Sequence, residues 1–253
     1  MKTIYLFDVD GTLTPAKQKV NNKFSADFNN WMENKQVYIV SGGSFMRIVD
    51  QLGMSIVNKT AGVFACMGNI FYQKYDSKEA LGYSEWKIIY ENKFKAPRGL
   101  YDRLEQTAND SLYTVKTGNH YEERAGMVNF SIVGQNATPP QRKAYAAFDA
   151  ENQERKQIVD NLRKKYKSLD FVIGGAVSID IFNRGNDKSQ IIEKFLKDSL
   201  ETHKIAFVGD RIASPGNDYA LAEKLRKHPN GEAYEVESWR DTTKLLKTTP
   251  FTS

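Results

Sequence analysis

The sequence predicts an α/β protein with a parallel-sheet core and an inserted α+β domain. An apolar run at residues 4–7 is typical of a short buried strand, and further strand-like runs alternate with helical patterns. The composition then becomes more polar and aromatic from about residue 82 and returns to the first style near Gly185. We therefore expect a discontinuous core, residues 1–81 and 186–253, and an inserted domain, residues 82–185.

The elements of the core are expected in a strand and helix alternation. Before the insertion we predict a strand at 3–8, a helix at about 22–34, a strand at 37–40, a helix at 44–52, and an apolar segment at 62–67 with a possible hairpin partner at 69–72. After it we predict a helix at 188–200, a strand at 205–208, and helices at 219–226 and near 241–246. This alternation favours a parallel sheet.

The inserted region has its own mixture of elements. A helix is expected at 97–109 and a long charged helix at 141–166. Strand-like runs lie at 113–117, 127–133, 171–173 and 178–182. Strands and helices outside the alternation of the core are typical of an α+β domain.

Bulk properties narrow the functional classes. The 253-residue chain carries a net charge of +5, which attracts anionic partners. It has no arginine-rich arm, zinc-finger spacing or RNA-binding aromatic signature, so we expect no nucleic acid partner. Apolar runs are too short to span a membrane and no signal-peptide pattern follows Met1, so we expect a cytoplasmic protein. The single cysteine, Cys66, is expected to be a buried small hydrophobe.

Two carboxylates follow the first predicted strand, in the segment DVDGT at residues 8–12. Asp8 and Asp10 thus lie at the carboxyl end of a strand, where open α/β sheets bind their ligands. Gly11 permits the tight turn that brings Asp10 back beside Asp8. Two carboxylates this close repel each other unless a cation lies between them or one of them is protonated.

Further polar groups are predicted at the same edge of the sheet. Ser41, Gly42, Gly43 and Ser44 follow the second strand and offer hydroxyls and N–H groups to a phosphate. Lys188 begins a helix, Asp210 follows the strand at 205–208, and Asp218 lies in the next loop.

This set of groups is suited to phosphoryl transfer. Asp8, Asp210 and Asp218, with the backbone carbonyl of Asp10, are hard oxygen ligands that match Mg²⁺. Asp8 is the expected nucleophile, with Lys188 neutralising charge. Asp10 is the expected general acid and base. Asp218 has a second interpretation, in which it only braces Lys188 or caps a helix.

The ordered set of Asp8 to Thr12, Ser41, Lys188, Asp210 and the GND segment at 216–218 resembles the four motifs of the haloacid dehalogenase superfamily. Residues 123–134 (ERAGMVNFSIVG) and 174–182 (GGAVSIDIF) resemble the cap domain of eukaryotic-type phosphomannomutases. The resemblance runs from residue 3 to about 246. It implies a Rossmann-like core with an inserted α+β cap domain, residues 82–185.

The resemblance also implies a function. An enzyme of this family interconverts mannose 6-phosphate and mannose 1-phosphate through a phosphoaspartyl enzyme, with Mg²⁺ as cofactor and a hexose 1,6-bisphosphate as intermediate and activator. Such an enzyme supplies the synthesis of GDP-mannose and forms a homodimer through its cap. The matching substrate-site positions are Lys17, Ser41, Gly42, Ser44, Arg124, Gln135, Arg142, Ser178 and Asp180.

Several of these positions leave alternatives open. The family usually has arginine where this chain has Gln135 and Lys17, and an amide at 135 brings no charge to the distal phosphate. A sugar phosphate phosphatase with the same core is therefore the second hypothesis, and a non-catalytic sugar phosphate binder is the third. Ser41 and Ser44 compete for the phosphate role. Lys17 and Arg142 could be ordinary surface residues, and Ser178 with Asp180 could be a structural pair.

Overall fold

The protein, in a computed structural model that describes residues 1–75 and 85–252, contains two β-sheets with helices packed on them. The strands are β1 (Thr3–Phe7), β2 (Gln36–Val40), β3 (Gly62–Ala65), β4 (Ile70–Lys74), β5 (Trp86–Glu91), β6 (Tyr121–Arg124), β7 (Met127–Ser131), β8 (Leu169–Gly174), β9 (Ser178–Asn183), β10 (Lys204–Gly209) and β11 (Gly231–Glu235). The α-helices are α1 (Asn22–Trp31), α2 (Phe45–Leu52), α3 (Met54–Val57), α4 (Leu100–Asp110), α5 (Pro139–Asn152), α6 (Glu154–Lys165), α7 (Lys197–Thr202), α8 (Tyr219–Arg226) and α9 (Trp239–Leu245).

The larger sheet has the strand order β11-β10-β1-β2-β3-β4-β5. Its strands from β11 to β3 are parallel, and β4 and β5 add an antiparallel edge. In β1 the side chains alternate between two apolar clusters, with Tyr5 and Phe7 on one face and Ile4 and Leu6 on the other. Both faces are therefore buried, as in other parallel sheets, and the predicted α/β core is confirmed.

The smaller sheet, of order β6-β7-β9-β8, is antiparallel throughout. Apolar side chains of β7 and β9 pack on one of its faces against α4, α5 and α6. On the other face, Asn129 and Ser131 of β7 are buried beside their register partners Asp180 and Ser178 of β9. A period of two along each strand thus separates an apolar face from a polar one. We refer to this sheet and its helices as the cap.

The predicted domain boundary between residues 81 and 82 lies outside the described residues. The strand that follows, β5, pairs with β4 in the larger sheet, although the sequence analysis assigned residues 86–91 to the inserted domain. Its mostly exposed side chains have the composition of an edge strand and differ from the buried strands of the core. We propose that the inserted domain begins after Glu91.

Other elements differ from the expectation in identifiable ways. Residues 113–117 form no strand, and β11, which is half-buried at the sheet edge, was not predicted. The helix expected at 141–166 is divided into α5 and α6 because Gln153 adopts a left-handed backbone with φ of 53°. In the helix expected at 188–200, Ile192–Leu196 is a π-helix.

Within the described part of the chain, no helix has the length and apolar character needed to cross a membrane.

A buried ion pair in the cap provides a test of its stability. Arg155 donates through Nε to Asp149 Oδ2 over 2.8 Å, and both residues are buried. We expect Arg155→Met to lower the free energy of unfolding by about 3–5 kcal/mol, because it leaves a buried carboxylate unpaired. Arg184→Met, which removes an exposed pair with Asp170 in the same domain, should cost less than about 1 kcal/mol. Urea unfolding measures both, and equal losses would contradict this interpretation.

Cys66 is buried, as predicted, and burial raises the pKa of its thiol to about 11. At pH 8 the reactive thiolate should therefore be roughly 100-fold scarcer than in an exposed cysteine with a pKa near 9. We expect a disulfide reagent to label the native protein at least that much more slowly than the urea-unfolded chain. Absorbance at pH 8 follows the reaction, and comparable rates in the two states would exclude a buried thiol.

Candidate active site

The strand ends of the larger sheet and the polar face of the cap enclose a cleft that opens to solvent. The core contributes Asp8, Asp10, Ala16, Lys17, Ser41, Gly42, Gly43, Arg47, Asp210 and Asn217. The cap contributes Arg124, Asn129, Arg142, Gly174, Gly175, Ala176, Ser178 and Asp180. Most of the site residues predicted from the sequence thus line one cavity.

Asp8, Asp10 and Asp210 line the cleft, and we refer to them, with the buried Lys188 and Asp218 behind them, as the acidic end. The Nζ atom of Lys188, which is fully buried, lies 2.6 Å from Asp8 Oδ1 and 2.6 Å from Asp218 Oδ1. Asp8, Asp210 and Asp218 each place one carboxylate oxygen within 4.8 Å of the others. The second oxygen of Asp218 accepts a hydrogen bond from the backbone N–H of Arg211 over 3.1 Å. With both oxygens engaged, Asp218 is well placed to brace Lys188, the second interpretation of this residue.

The electrostatics of this end favour a bound cation. Burial raises the pKa of Asp8 well above its ordinary value, against the attraction of Lys188 and with the help of Asp218 and Asp210. Burial and the Asp218 carboxylate raise the pKa of Asp210 to about 7. Burial disfavours the charge on Lys188, but the Asp218 and Asp8 carboxylates hold its pKa above the ordinary value. The single positive charge of Lys188 cannot balance the three carboxylates of Asp8, Asp210 and Asp218. Carboxylate oxygens are hard ligands that suit Mg²⁺.

Asp10 is held by the loop that follows it. Its Oδ1 accepts hydrogen bonds from the backbone N–H of Lys17 over 2.6 Å and from Gln51 Nε2 over 2.9 Å. Gly11, directly after Asp10, has φ of 85°, and a Cβ atom there would collide with the Asp210 carboxylate. The turn therefore requires glycine for two reasons, its backbone conformation and the close approach of Asp210.

The two serines of the SGGS segment have different environments. Ser41 lines the cleft, and its Oγ accepts a hydrogen bond from the backbone N–H of Gly43 over 3.0 Å. Ser44 is the N-cap of α2, where its side chain accepts from the backbone N–H of Arg47 over 3.4 Å, and it does not line the cleft. This difference favours Ser41 for the phosphate-binding role.

A second group of residues that line the cleft is cationic, and we refer to it as the cationic end. Arg124 of β6, whose side chain is 5% exposed, donates to the backbone carbonyl of Gly42 over 2.7 Å and to Glu122 over 2.6 Å. Glu122 also lies 3.3 Å from Arg47 of α2. Burial and then Arg142, Arg47 and Arg124 lower the pKa of Lys17 to about 8. Four cationic side chains from core and cap therefore share one space.

Sequence reasoning missed Arg47 at this end. The only signal for it was its place in the first turn of the helix that follows the SGGS segment.

The wall of the cap holds the remaining predicted residues, with one exception. Asn129 Nδ2 donates to Asp180 Oδ1 over 2.7 Å, and Ser178 Oγ donates to the carbonyl of Gly174 over 3.0 Å. Gln135 does not line the cleft, and its Nε2 donates to Asn129 Oδ1 over 3.1 Å. Asn129, which was not singled out from the sequence, connects Gln135 to Asp180.

The fold is that of the haloacid dehalogenase-like enzymes, a parallel core with a cap. A haloacid dehalogenase-like hydrolase from Bacteroides thetaiotaomicron is 12% identical, with a TM-score of 0.53 over 96% of this chain and 92% of that one. The N-terminally truncated IMP-nucleotidase of Plasmodium falciparum is 14% identical, with a TM-score of 0.59 over 97% of this chain and 69% of that one. At these identities the likeness concerns the fold alone.

The sequence defines the family within that class. The model of the family described as eukaryotic phosphomannomutase matches residues 24–251. A phosphomannomutase of Spinacia oleracea is 33% identical over 95% of this chain and 93% of its own length. One of Dendrobium officinale is 32% identical over 88% and 86%. The chain belongs to the eukaryotic phosphomannomutase family and is an enzyme of its phosphotransferase class.

The raised pKa of Asp210 predicts a stability that depends on pH in protein freed of metal. A carboxyl with a higher pKa in the folded state holds its proton more tightly there, so stability present at low pH is lost as pH rises toward about 7. We expect the free energy of unfolding in EDTA to be lower at pH 7.5 than at pH 5 by about 1–4 kcal/mol.

Urea unfolding at the two pH values checks this expectation. Mg²⁺ should reduce the difference, because a cation favours the ionised carboxylate, and Asp210→Asn should also reduce it. A difference that survives in the Asp210→Asn protein would assign the effect to other groups.

Proposed function

We propose that this enzyme interconverts mannose 6-phosphate and mannose 1-phosphate through a phosphoaspartyl enzyme and a hexose bisphosphate. The main support for this proposal is that a single cleft has an acidic end and a cationic end. A mutase of this type must bind phosphate at both ends of the sugar, so that either oxygen can be presented to the same nucleophile. The family membership supports the same reaction.

Asp8 is the nucleophile in this proposal. Its carboxylate oxygen attacks phosphorus, and the bond from phosphorus to the departing oxygen breaks. Lys188, held 2.6 Å from Asp8 Oδ1, offsets the charge that would otherwise repel the incoming phosphate. Asp10 protonates the leaving oxygen and later removes the proton of the sugar hydroxyl that attacks the phosphoaspartate. Both hydrogen bonds to Asp10 fall on Oδ1, so we assign the proton transfer to Oδ2.

Mg²⁺ is the cofactor that the acidic end suits. Asp8 and Asp210 would hold it with the backbone carbonyl of Asp10, and Asp218 would complete the site either as a ligand or as the brace of Lys188. When bound, the ion neutralises phosphate charge that the carboxylates would otherwise repel.

The cationic end binds the other phosphate of the substrate in this proposal. Arg124 and Arg142 of the cap supply guanidinium groups, which match phosphate with paired donors. Lys17 and Arg47 add charge from the core side, and Ser178 and Asp180 contact the sugar. Hexose 1,6-bisphosphate carries phosphate at both ends, and it would therefore fit as activator. A cap seated on the core would also shield the acyl phosphate from water.

Hydrolysis of sugar phosphates is the second candidate function. It is favoured by the position of Gln135, which brings no charge and donates to Asn129 rather than lining the cleft. A weaker hold on the distal phosphate would give water more opportunity to attack the phosphoaspartate.

Three wider properties belong to the same proposal. The product would supply GDP-mannose synthesis, the enzyme would act in the cytoplasm, and two chains would associate through their caps. The cap has an apolar side chain available for such contact, since Leu112 is 84% exposed. Light scattering that finds a monomer at micromolar concentration would count against the dimer.

A coupled assay for mannose 1-phosphate formation from mannose 6-phosphate tests the function. We expect activity that needs Mg²⁺ and is stimulated by glucose 1,6-bisphosphate. Asp8→Asn should reduce it by on the order of 10³-fold or more, because the amide is a poor nucleophile. Asp27→Asn, on the exposed side of α1, is the matched control and should keep full activity. Release of inorganic phosphate alone would favour the phosphatase.

A further inference from the structure

A tight turn of the cap, residues 174–178 between β8 and β9, forms part of the cleft wall. Four of its residues line the cleft, Gly174, Gly175, Ala176 and Ser178. Its shape is fixed from within the cap by the buried Arg155, whose Nη1 donates to the carbonyls of Gly174, Gly175 and Ser178 over 3.4, 3.2 and 3.3 Å. Arg155 and this turn, both parts of the cap, are thus one unit.

The core also contacts this turn, through Arg211. The Nη2 atom of Arg211 donates to the carbonyl of Gly175 over 3.1 Å, so this carbonyl accepts from a guanidinium of each domain. The parallel bridge between Ile173 and Gly216 lies beside it. Arg211 Nη2 therefore makes a direct hydrogen bond between the core and the cap turn.

Arg211 is at the same time part of the surroundings of the acidic end. It follows Asp210 in sequence, and its Nε lies 3.5 Å from Asp210 Oδ2. Its backbone N–H donates to Asp218 Oδ2 over 3.1 Å. Its attraction lowers the pKa of Asp210 against the effect of burial. A single residue thus contacts the cap turn and two of the three clustered carboxylates.

We propose that Arg211 is a positioning residue that couples the seating of the cap turn to the orientation of Asp210. This inference rests on the proposed function. Domains joined by short connections move relative to each other unless a large apolar interface holds them. The hydrogen bond to Gly175 forms only when the cap turn lies on the core, and the same guanidinium then faces Asp210. The seated position of the cap turn and the orientation of Asp210 therefore stabilise each other.

The chemistry of the side chain explains why this residue is arginine. A guanidinium presents several donors in a fixed plane and can serve a carbonyl and a carboxylate at once. A lysine at this position has one ammonium and can satisfy the two acceptors less well. Because the Arg211 side chain is 40% exposed, its loss should change catalysis more than folding.

The test compares Arg211→Gln and Arg211→Lys with the wild type. The matched control is Arg226→Gln, which removes another half-exposed core arginine paired with a carboxylate, Glu223 at 3.3 Å. For Arg211→Gln we expect KM for mannose 6-phosphate to rise about 3- to 10-fold, because the hydrogen bond to the carbonyl of Gly175 is lost. The fraction of phosphoenzyme lost to water should rise as well, and Arg211→Lys should be intermediate. Hydrolysis of p-nitrophenyl phosphate, which has no distal phosphate and uses the acidic end alone, should fall by a smaller factor than the interconversion.

Hydrogen exchange gives a readout that does not depend on turnover. Amides of residues 174–178 should exchange about 3- to 10-fold faster in Arg211→Gln, with glucose 1,6-bisphosphate present, than in the wild type or in Arg226→Gln. Unchanged exchange at the turn, or an equal fall in both activities with KM unaltered, would overturn the coupling role. A wild type that does not interconvert the sugar phosphates would refute the proposed function instead, while the exchange comparison would still decide the role of Arg211.

Discussion

The buried ammonium of Lys188 is the interaction on which the rest of the site depends. A fully buried amine without partners would be very costly to keep charged, and two carboxylates at 2.6 Å offset that cost. The three groups come from chain segments 180 and 30 residues apart, at the end of β1, the start of the returning chain and the loop after β10. The contact therefore fixes both ends of the discontinuous core around one point.

Charge is distributed in the cleft so that neither end is neutral by itself. At the acidic end, burial and then the Asp218 carboxylate raise the pKa of Asp210 to about 7. At the cationic end, burial and then neighbouring arginines lower the pKa of Lys17 and of Arg142. In the proposed function each end takes a ligand of opposite charge, a cation at the acidic end and a phosphate at the cationic end. Arg211 contacts both Asp210 and the cap turn, so it links the acidic end to the cap.

The sequence predicted those residues whose position follows directly from a strand. Asp8, Ser41 and Asp210 come immediately after buried apolar runs, so their common location needed only a parallel sheet. Arg47 and Asn129 depend instead on which way a helix turn or a strand face points in three dimensions. Local patterns do not determine that direction. The polar edge strands β5 and β11 were not predicted for a related reason. They lack the burial that marks a central strand.

Gln135 takes part in a chain of hydrogen bonds within the wall of the cap. Its amide donates to Asn129 Oδ1, and Asn129 Nδ2 in turn donates to Asp180 Oδ1. The buried Asp180 carboxylate thus keeps a donor, although burial raises its pKa. In the proposed function, charge for the distal phosphate would then come from Arg124, Arg142 and the two core cations. Because Lys17 and Arg47 belong to the core, the distal phosphate would be held between both domains, and its binding would require the cap to be seated.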